Sequence, residues 1–71
     1  MINKNYELII KDNYLDIKYY SKIIDINSLK IEILLDSKKI IINGNNLIIR
    51  CMDEYEIVIK GIISSIQFID E

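Results

Sequence analysis

The chain has few residues that could carry out chemistry, and the most reactive type among them is a single cysteine, Cys51. A cysteine becomes a nucleophile when a nearby base or cation lowers the pKa of its thiol. The sequence contains no histidine to act as that base. Arg50 could act as the cation, but consecutive residues of a strand point to opposite faces, so the two side chains should point apart. We therefore expect Cys51 to be a small buried residue and the protein not to be an enzyme.

Three acidic residues, Asp53, Glu54 and Glu56, form the one acidic cluster of the sequence. A calcium site needs more oxygen ligands at defined spacing, and its loop generally turns at a glycine. A structural zinc site needs several cysteine or histidine ligands, and the chain has one cysteine and no histidine. The sequence therefore predicts no metal site and no cofactor. It places the acidic cluster at the solvent-exposed tip of a hairpin.

The charge of the chain does not indicate nucleic-acid binding. Its formal net charge is −2 and its isoelectric point is near 5.0, whereas nucleic-acid-binding domains carry a clustered excess of lysine and arginine. We interpret the one lysine pair, Lys38-Lys39, as a solvent-exposed strand end. Tyr19 and Tyr20 should point to opposite faces, so at most one of them could stack on a base. A basic and aromatic groove would favour a small β-barrel module that binds a ligand or RNA, which is the alternative function.

The spacing of apolar residues predicts an all-β protein. Isoleucine occupies 20 of the 71 positions, mostly in runs where apolar and polar residues alternate, and alanine, the best helix former, is absent. Pairs of turn-forming residues separate the runs about every eight residues: Asp12-Asn13, Asn27-Ser28, Asp36-Ser37 and Asn43-Gly44. We predict a single domain over residues 1–71, with about eight short strands in an antiparallel meander curled into a small sandwich or barrel. A β-solenoid-like stack is the alternative architecture.

Hairpins at these turns place most apolar residues on one face of the predicted sheet. Two-residue turns set Ile10 opposite Leu15 and Ile33 opposite Ile40, and Asn43-Gly44 is the strongest hairpin signal. The following turn keeps the same face only with a three-residue loop over residues 52–54, because a shift of one residue reverses every side chain. A turn at Gly61 then continues the face into the last strand. The predicted core face consists of Tyr6, Leu8, Ile10, Leu15, Ile17, Tyr19, Ile24, Ile26, Leu29, Ile31, Ile33, Leu35, Ile40, Ile42, Leu47, Ile49, Tyr55, Ile57, Ile59, Ile62, Ile66 and Phe68.

The opposite face is more apolar than a solvated surface should be. A curled sheet could bury parts of both faces; alternatively, the second face docks on another protein, since monomers rarely expose large apolar patches. Ile41 and Ile48 are predicted to be near neighbours across strands. The unpaired edges of the terminal strands would also suit strand addition from another chain. The predicted partner-docking face consists of Ile23, Leu34, Ile41, Ile48, Val58 and Ile63.

The small size of the chain also favours association. A domain of about this length buries only about 60 % of the surface that its unfolded chain exposes, and one cysteine cannot form an intramolecular disulfide. A homo-oligomer or a protein partner would supply the missing contacts. The longest apolar runs have three residues, so the sequence predicts no signal peptide, no direct membrane insertion and a cytoplasmic location.

The second half of the chain carries a recognisable pattern of strands and turns. Residues 40–50 read IIINGNNLIIR and residues 55–69 read YEIVIKGIISSIQFI. This resembles the YabP/YqfC family of small sporulation proteins, with matching positions at Gly44, Asn46, Leu47, Ile57, Ile59, Gly61, Ile63 and Phe68. The resemblance implies a non-enzymatic structural or adaptor protein made during endospore formation. It implies a location in the mother cell, beside a sporulation membrane protein at the forespore surface.

Overall fold

The computed structural model describes residues 6–70, which form one open antiparallel sheet of six strands. The strands are β1 (Glu7–Lys11), β2 (Tyr14–Lys18), β3 (Lys22–Ile26), β4 (Lys30–Leu34), β5 (Lys38–Met52) and β6 (Glu56–Asp70). Their order across the sheet is β1-β2-β6-β5-β4-β3. The all-β antiparallel prediction is therefore confirmed, whereas a parallel solenoid is excluded. Residues 6–70 contain no helix that is long and apolar enough to span a membrane.

Six strands appear in place of the predicted eight because two predicted turns lie inside strands. Asn43-Gly44 is within β5 and Gly61 is within β6, and each of these strands has 15 residues. The two strands stay paired across this region, with Asn43 opposite Ser65 and Gly44 opposite Ile63. The register shifts between these two pairs, which is the signature of a β-bulge. The hairpin signal at Asn43-Gly44 therefore marks an irregularity within a strand and not a turn.

Close approach of the two long strands explains why glycine occupies these positions. A Cβ atom at Gly61 would lie 2.6 Å from the backbone oxygen of Asn46, and Gly61 has a φ of +141°, which residues with a side chain rarely adopt. Gly44 is crowded in the same way by the backbone of Ile62. The two glycines therefore permit the irregular region where both strands change their outer neighbours.

The outer neighbours differ between the two halves of the β5–β6 hairpin. Near the hairpin turn, residues 56–60 of β6 pair with β2, whereas at the other end residues 39–43 of β5 pair with β4. Both halves contribute to one apolar core. Its buried residues are Leu15, Ile17, Ile31, Ile33, Leu35, Ile40, Ile42, Leu47, Ile57 and Ile59. All of them belong to the predicted core face, so the alternation of apolar and polar residues found each of these buried residues.

The predicted register is confirmed in two hairpins and fails next to the bulges. Ile10 lies opposite Leu15 and Ile33 lies opposite Ile40, as predicted. Eight predicted core residues are instead exposed: Ile10, Tyr19, Ile24, Ile26, Leu29, Tyr55, Ile62 and Phe68. At Ile24 a register shift reverses the alternation, because a bulge adds one residue to a strand. Ile62 is exposed because β6 does not turn at Gly61, so the alternation of Ile57 and Ile59 continues past it. Their neighbours Ile23 and Ile63 pack against the core in their place.

A three-residue connection links β2 to β3, which occupy distant positions in the strand order. The amide of Tyr19 donates to the carbonyl of Tyr55 at the β5–β6 turn, and the amide of Ser21 donates to the carbonyl of Leu34 at 2.9 Å. The rings of Tyr19 and Tyr55 stack with their centroids 5.5 Å apart. The Tyr20 hydroxyl donates to the carbonyl of Asp53 at 2.7 Å. The connection therefore ties the β5–β6 turn to the end of β4.

Candidate interaction surface

The six residues of the predicted docking face do not form one surface. Ile23 packs against the core because a register shift turns it inward. Ile63 packs against the core because the alternation of Ile57 and Ile59 continues past Gly61. The others form two pairs of diagonal neighbours, Leu34 with Ile41 and Ile48 with Val58. Ile41 and Ile48, predicted to be near cross-strand neighbours, instead lie in opposite halves of the same strand. The two pairs must therefore be considered separately.

One pair belongs to an exposed apolar surface on the outer face of the β5–β6 hairpin. Ile48 lies opposite Lys60, and Val58 and Ile62 are the two diagonal neighbours on the same face of β6. Ile48 is 53 % exposed and Ile62 is 62 % exposed, the largest value among the exposed large apolar residues. We call Ile48, Val58 and Ile62 the hairpin strip. Sequence reasoning found its first two members and missed Ile62, because a predicted turn at Gly61 placed that residue in the core.

A groove of about 270 Å³ adjoins the hairpin strip and is lined by Tyr14, Arg50, Cys51, Val58 and Lys60. Arg50 and Cys51 both line it, although they are consecutive in the chain. The register shift between Ile49 and Cys51 explains this result, because the extra residue interrupts the alternation. Cys51 is exposed and not buried, for the same reason.

The groove carries two cations, Arg50 and Lys60, that form no ion pair within the described part of the chain. Within residues 6–70, the ion pairs join Lys30 and Lys39 to Glu32 and Lys38 to Asp70. Arg50 and Lys60 take part in none of them. Although the chain as a whole has a net charge of −2, this end of the outer face is therefore locally cationic.

An acidic pair lies on the same face, toward the β5–β6 turn. Asp16 of β2 lies opposite Val58 and is a diagonal neighbour of Glu56. The pKa of Glu56 is raised, mainly because its carboxyl group is within hydrogen-bonding distance of Asp16 and also because burial disfavours the charged form. The Asp16 Oδ1 atom is buried without a hydrogen-bond partner among residues 6–70. A protonated Glu56 carboxyl can donate to the Asp16 carboxylate, and this interaction accounts for the direction of the shift.

The second diagonal pair, Leu34 and Ile41, lies among compensated charges. Glu32, opposite Ile41, accepts from Lys30 at 3.0 Å and from Lys39 at 3.4 Å. These two cations lower the pKa of the Glu32 carboxyl. Leu34 and Ile41 are themselves only half-exposed. The charged residues of this outer face therefore pair with one another, and the face exposes less apolar surface than the hairpin strip.

The acidic cluster lies at the β5–β6 turn, as predicted, although the loop spans residues 53–55 instead of 52–54. The Asp53 Oδ1 atom accepts hydrogen bonds from the amides of Tyr55 and Glu56, at 3.0 and 2.9 Å. Its carboxylate thus orders the turn. Among residues 6–70, no group of three or more histidine, cysteine, aspartate or glutamate side chains could hold a metal ion.

No protein-family model matches this chain, and comparisons with curated proteins and with solved structures also find no match. The relation to the YabP/YqfC family therefore stays a prediction from the sequence. Several residues that carry the resemblance do meet in space. A Cβ atom at Gly44 would lie 3.1 Å from the side chain of Leu47, and one at Gly61 would lie 3.0 Å from the Leu47 backbone.

Proposed function

We propose that this protein is a non-enzymatic adaptor that binds a partner protein through the hairpin strip. The observation that carries the proposal is that Ile48 and Ile62 are each more than half exposed beside two cations that form no ion pair within residues 6–70, Arg50 and Lys60. Covering a large aliphatic side chain contributes about 1.5–3 kcal/mol, so leaving two of them in water favours association.

The proposed partner presents apolar side chains with acidic residues beside them. Apolar contacts would cover the hairpin strip, while the acidic residues would approach Arg50 and Lys60. Complementary charge increases the rate of association and selects among partners more than it increases affinity. The Asp16–Glu56 pair on the same face would repel acidic groups, so a partner with this chemistry would dock toward the cationic end.

The resemblance to sporulation proteins supplies the biological setting of the proposal. The partner would be a membrane protein at the forespore surface, and the adaptor would act from the cytoplasm of the mother cell. The bent sheet would serve as the scaffold, with its two halves packed around one core in the manner of a small sandwich. An antibody against the chain should then detect it in cells that form endospores and not in vegetative cells.

Site-specific photo-crosslinking tests the docking surface. A photoreactive amino acid at Ile48 should form cross-links to one protein in sporulating cells, whereas the same group at Gln67 should not. Gln67 is exposed and lies opposite Ile41, on the outer face of the other half of the hairpin. Charge reversal of Arg50 and Lys60 to glutamate should remove the cross-link at position 48. Equal cross-linking from both positions, or none from position 48, would contradict the proposal.

A second candidate function is the binding of single-stranded RNA. The groove brings together an aromatic ring, Tyr14, and the cations Arg50 and Lys60, a combination that the sequence did not indicate. Stacking and positive charge are the usual basis of such binding. The acidic Asp16 and Glu56 lie on the same face, however, and the net charge is negative, so we rank this function second. Salt-dependent binding of an oligouridylate that Tyr14→Ala abolishes would support it.

A further inference from the structure

We infer that the protein forms a symmetric homodimer in which β1 pairs antiparallel with β1 of a second copy, around a two-fold axis at Ile9. β1 is an outermost strand, and its register against β2 is regular over all five residue pairs. The outer edge of such a strand carries backbone groups that can extend the sheet. This inference concerns a surface separate from the hairpin strip and goes beyond the proposed function.

The sequence of β1 is complementary to itself. β1 reads ELIIK, so antiparallel pairing centred on Ile9 sets Glu7 opposite Lys11 of the second copy. Leu8 then lies opposite Ile10 of the second copy, and the two Ile9 side chains meet at the axis. Opposite charges directly across a strand pair are stabilising. The two-fold symmetry generates the Glu7–Lys11 contact and the Leu8–Ile10 contact twice each.

The backbone hydrogen-bonding groups of β1 point in the directions that this pairing requires. Lys11 and Tyr14 flank a two-residue turn and form its closing hydrogen-bonded pair. Hydrogen-bonded pairs recur at every second residue of an antiparallel pair, so the backbone groups of Ile9 and Glu7 also form hydrogen bonds with β2. The amide and carbonyl groups of Leu8 and Ile10 therefore point away from β2. These are the two residues that face each other across the proposed interface. Their outward groups can exchange hydrogen bonds without breaking any bond to β2.

A groove next to β1 accommodates a side chain of the second copy. It has a volume of about 420 Å³ and is lined by residues 6–9 and Phe68. Ile10 is 59 % exposed and Phe68 is 49 % exposed. In the dimer, Ile10 of the second copy lies beside Leu8 and thus at this groove, where it would contact the exposed ring. The same contact recurs on the other side of the axis, so the dimer covers all of these side chains.

The other outermost strand, β3, does not offer an equivalent edge. Its register against β4 shifts between Ile23 and Asp25, so Ile24 has no partner in the ladder. Bulges of this kind protect strand edges from pairing with other chains. β1 is therefore the edge that a second copy can extend.

Dimerisation would place both docking surfaces on one side of the assembly. The two-fold axis of an antiparallel strand pair is perpendicular to the sheet, so the outer faces of both copies stay on the same side. Five strand spacings of about 4.8 Å separate β6 of one copy from β6 of the other, which is about 24 Å. Two partner sites at that spacing would bind a clustered membrane protein with increased avidity. This consequence, unlike the dimer itself, rests on the proposed function.

Charge reversal on β1 tests the dimer. Size-exclusion chromatography with light scattering should find the wild-type chain as a dimer. Glu7→Lys or Lys11→Glu alone places like charges across the interface at two symmetric points and should weaken dimerisation about tenfold or more. An equimolar mixture of the two variants should recover the dimer, because each like-charge pair is replaced by an opposite pair. Lys22→Glu on β3 is the matched control and should leave the dimer unchanged.

The mixing experiment separates loss of pairing from loss of folding. Lys11 also lies 5.9 Å from the ring of Tyr14 and Glu7 lies opposite Lys18, so each variant is first checked for strand content by circular dichroism. A folded wild-type chain that stays monomeric at millimolar concentration overturns the dimer, as does a mixture that fails to associate although both variants are folded. A monomer that still forms the cross-link at Ile48 would refute the dimer and support the adaptor. A dimer that does not form that cross-link would support the dimer and contradict the adaptor.

Discussion

The backbone of Gly44 lies so close to Ile62 that a Cβ atom at Gly44 would stand 2.0 Å from the Ile62 carbonyl oxygen. No side chain fits at that distance unless one of the two strands moves. The contact joins β5 to β6 in the irregular region where both strands change their outer neighbours. The course of both 15-residue strands therefore depends on this position.

Gly44→Ala should destabilise the protein by about 2–4 kcal/mol, because the added methyl group must displace the backbone of β6. Asn45→Ala is the matched control, since Asn45 is exposed and belongs to the same region; we expect a change within about 0.5 kcal/mol. Urea unfolding followed by circular dichroism measures both. Equal stability of Gly44→Ala and the wild type would show that the two strands can separate there without cost.

Ile48→Lys should leave the fold intact and remove partner binding. The side chain is more than half exposed, so its replacement should change the free energy of unfolding by no more than about 0.5 kcal/mol. Ile40→Lys in the same strand should cost more than about 3 kcal/mol, because it buries an unpaired charge in the core. Thermal unfolding distinguishes the two variants. Unfolding of Ile48→Lys would instead place Ile48 in the structural core.

Glu56→Gln should stabilise the protein at neutral pH and have little effect in acid. The pKa of Glu56 is higher in the folded protein than in the unfolded chain, so its stabilising contribution is present below the unfolded pKa. That contribution is lost as the pH rises through the folded pKa, where Glu56 becomes charged beside Asp16. Glutamine keeps a donor for Asp16 without adding charge. Melting temperatures measured between pH 3 and 8 should converge at the acidic end.

Glu32→Gln is the control, in which the change in stability at neutral pH should have the opposite sign. The pKa of Glu32 is lowered in the folded protein by Lys30 and Lys39, so its stabilising contribution is present above the unfolded pKa and is lost as the pH falls through the folded pKa. This variant should be less stable than the wild type at neutral pH and equal to it in strong acid. The same sign of change for both variants would contradict the assignment of the Asp16–Glu56 pair.

Asp53→Ala should destabilise the β5–β6 turn by about 1–2 kcal/mol. The substitution removes the acceptor of two backbone amide hydrogen bonds, from Tyr55 and Glu56. Asp53→Asn keeps an oxygen at the same place and should retain most of the stability. Amide hydrogen exchange at Tyr55 and Glu56 should be faster in the alanine variant only. Unchanged exchange there would show that the turn holds without the carboxylate.

Local alternation was sufficient to identify the core and the regular hairpins. Each of the ten buried residues belongs to the predicted core face, because side-chain direction in a strand follows a period of two that needs no knowledge of distant contacts. The same argument failed at Ile24, Cys51 and Ile62. At Ile24 and Cys51 a register shift adds one residue and reverses the direction of the side chains that follow. At Ile62 the predicted turn at Gly61 is absent, so the alternation continues without reversal.

The sequence by itself determined that this protein is an antiparallel all-β domain and which apolar residues fill its core, since both depend on the order of neighbouring residues. Only the tertiary structure decided whether Asn43-Gly44 turns the chain or lies within a strand. That choice depends on the backbone of Ile62, far along the chain, approaching Gly44. A separate register shift, between Ile49 and Cys51, brings Arg50 and Cys51 to one groove with Lys60, an arrangement that spacing along the sequence cannot specify.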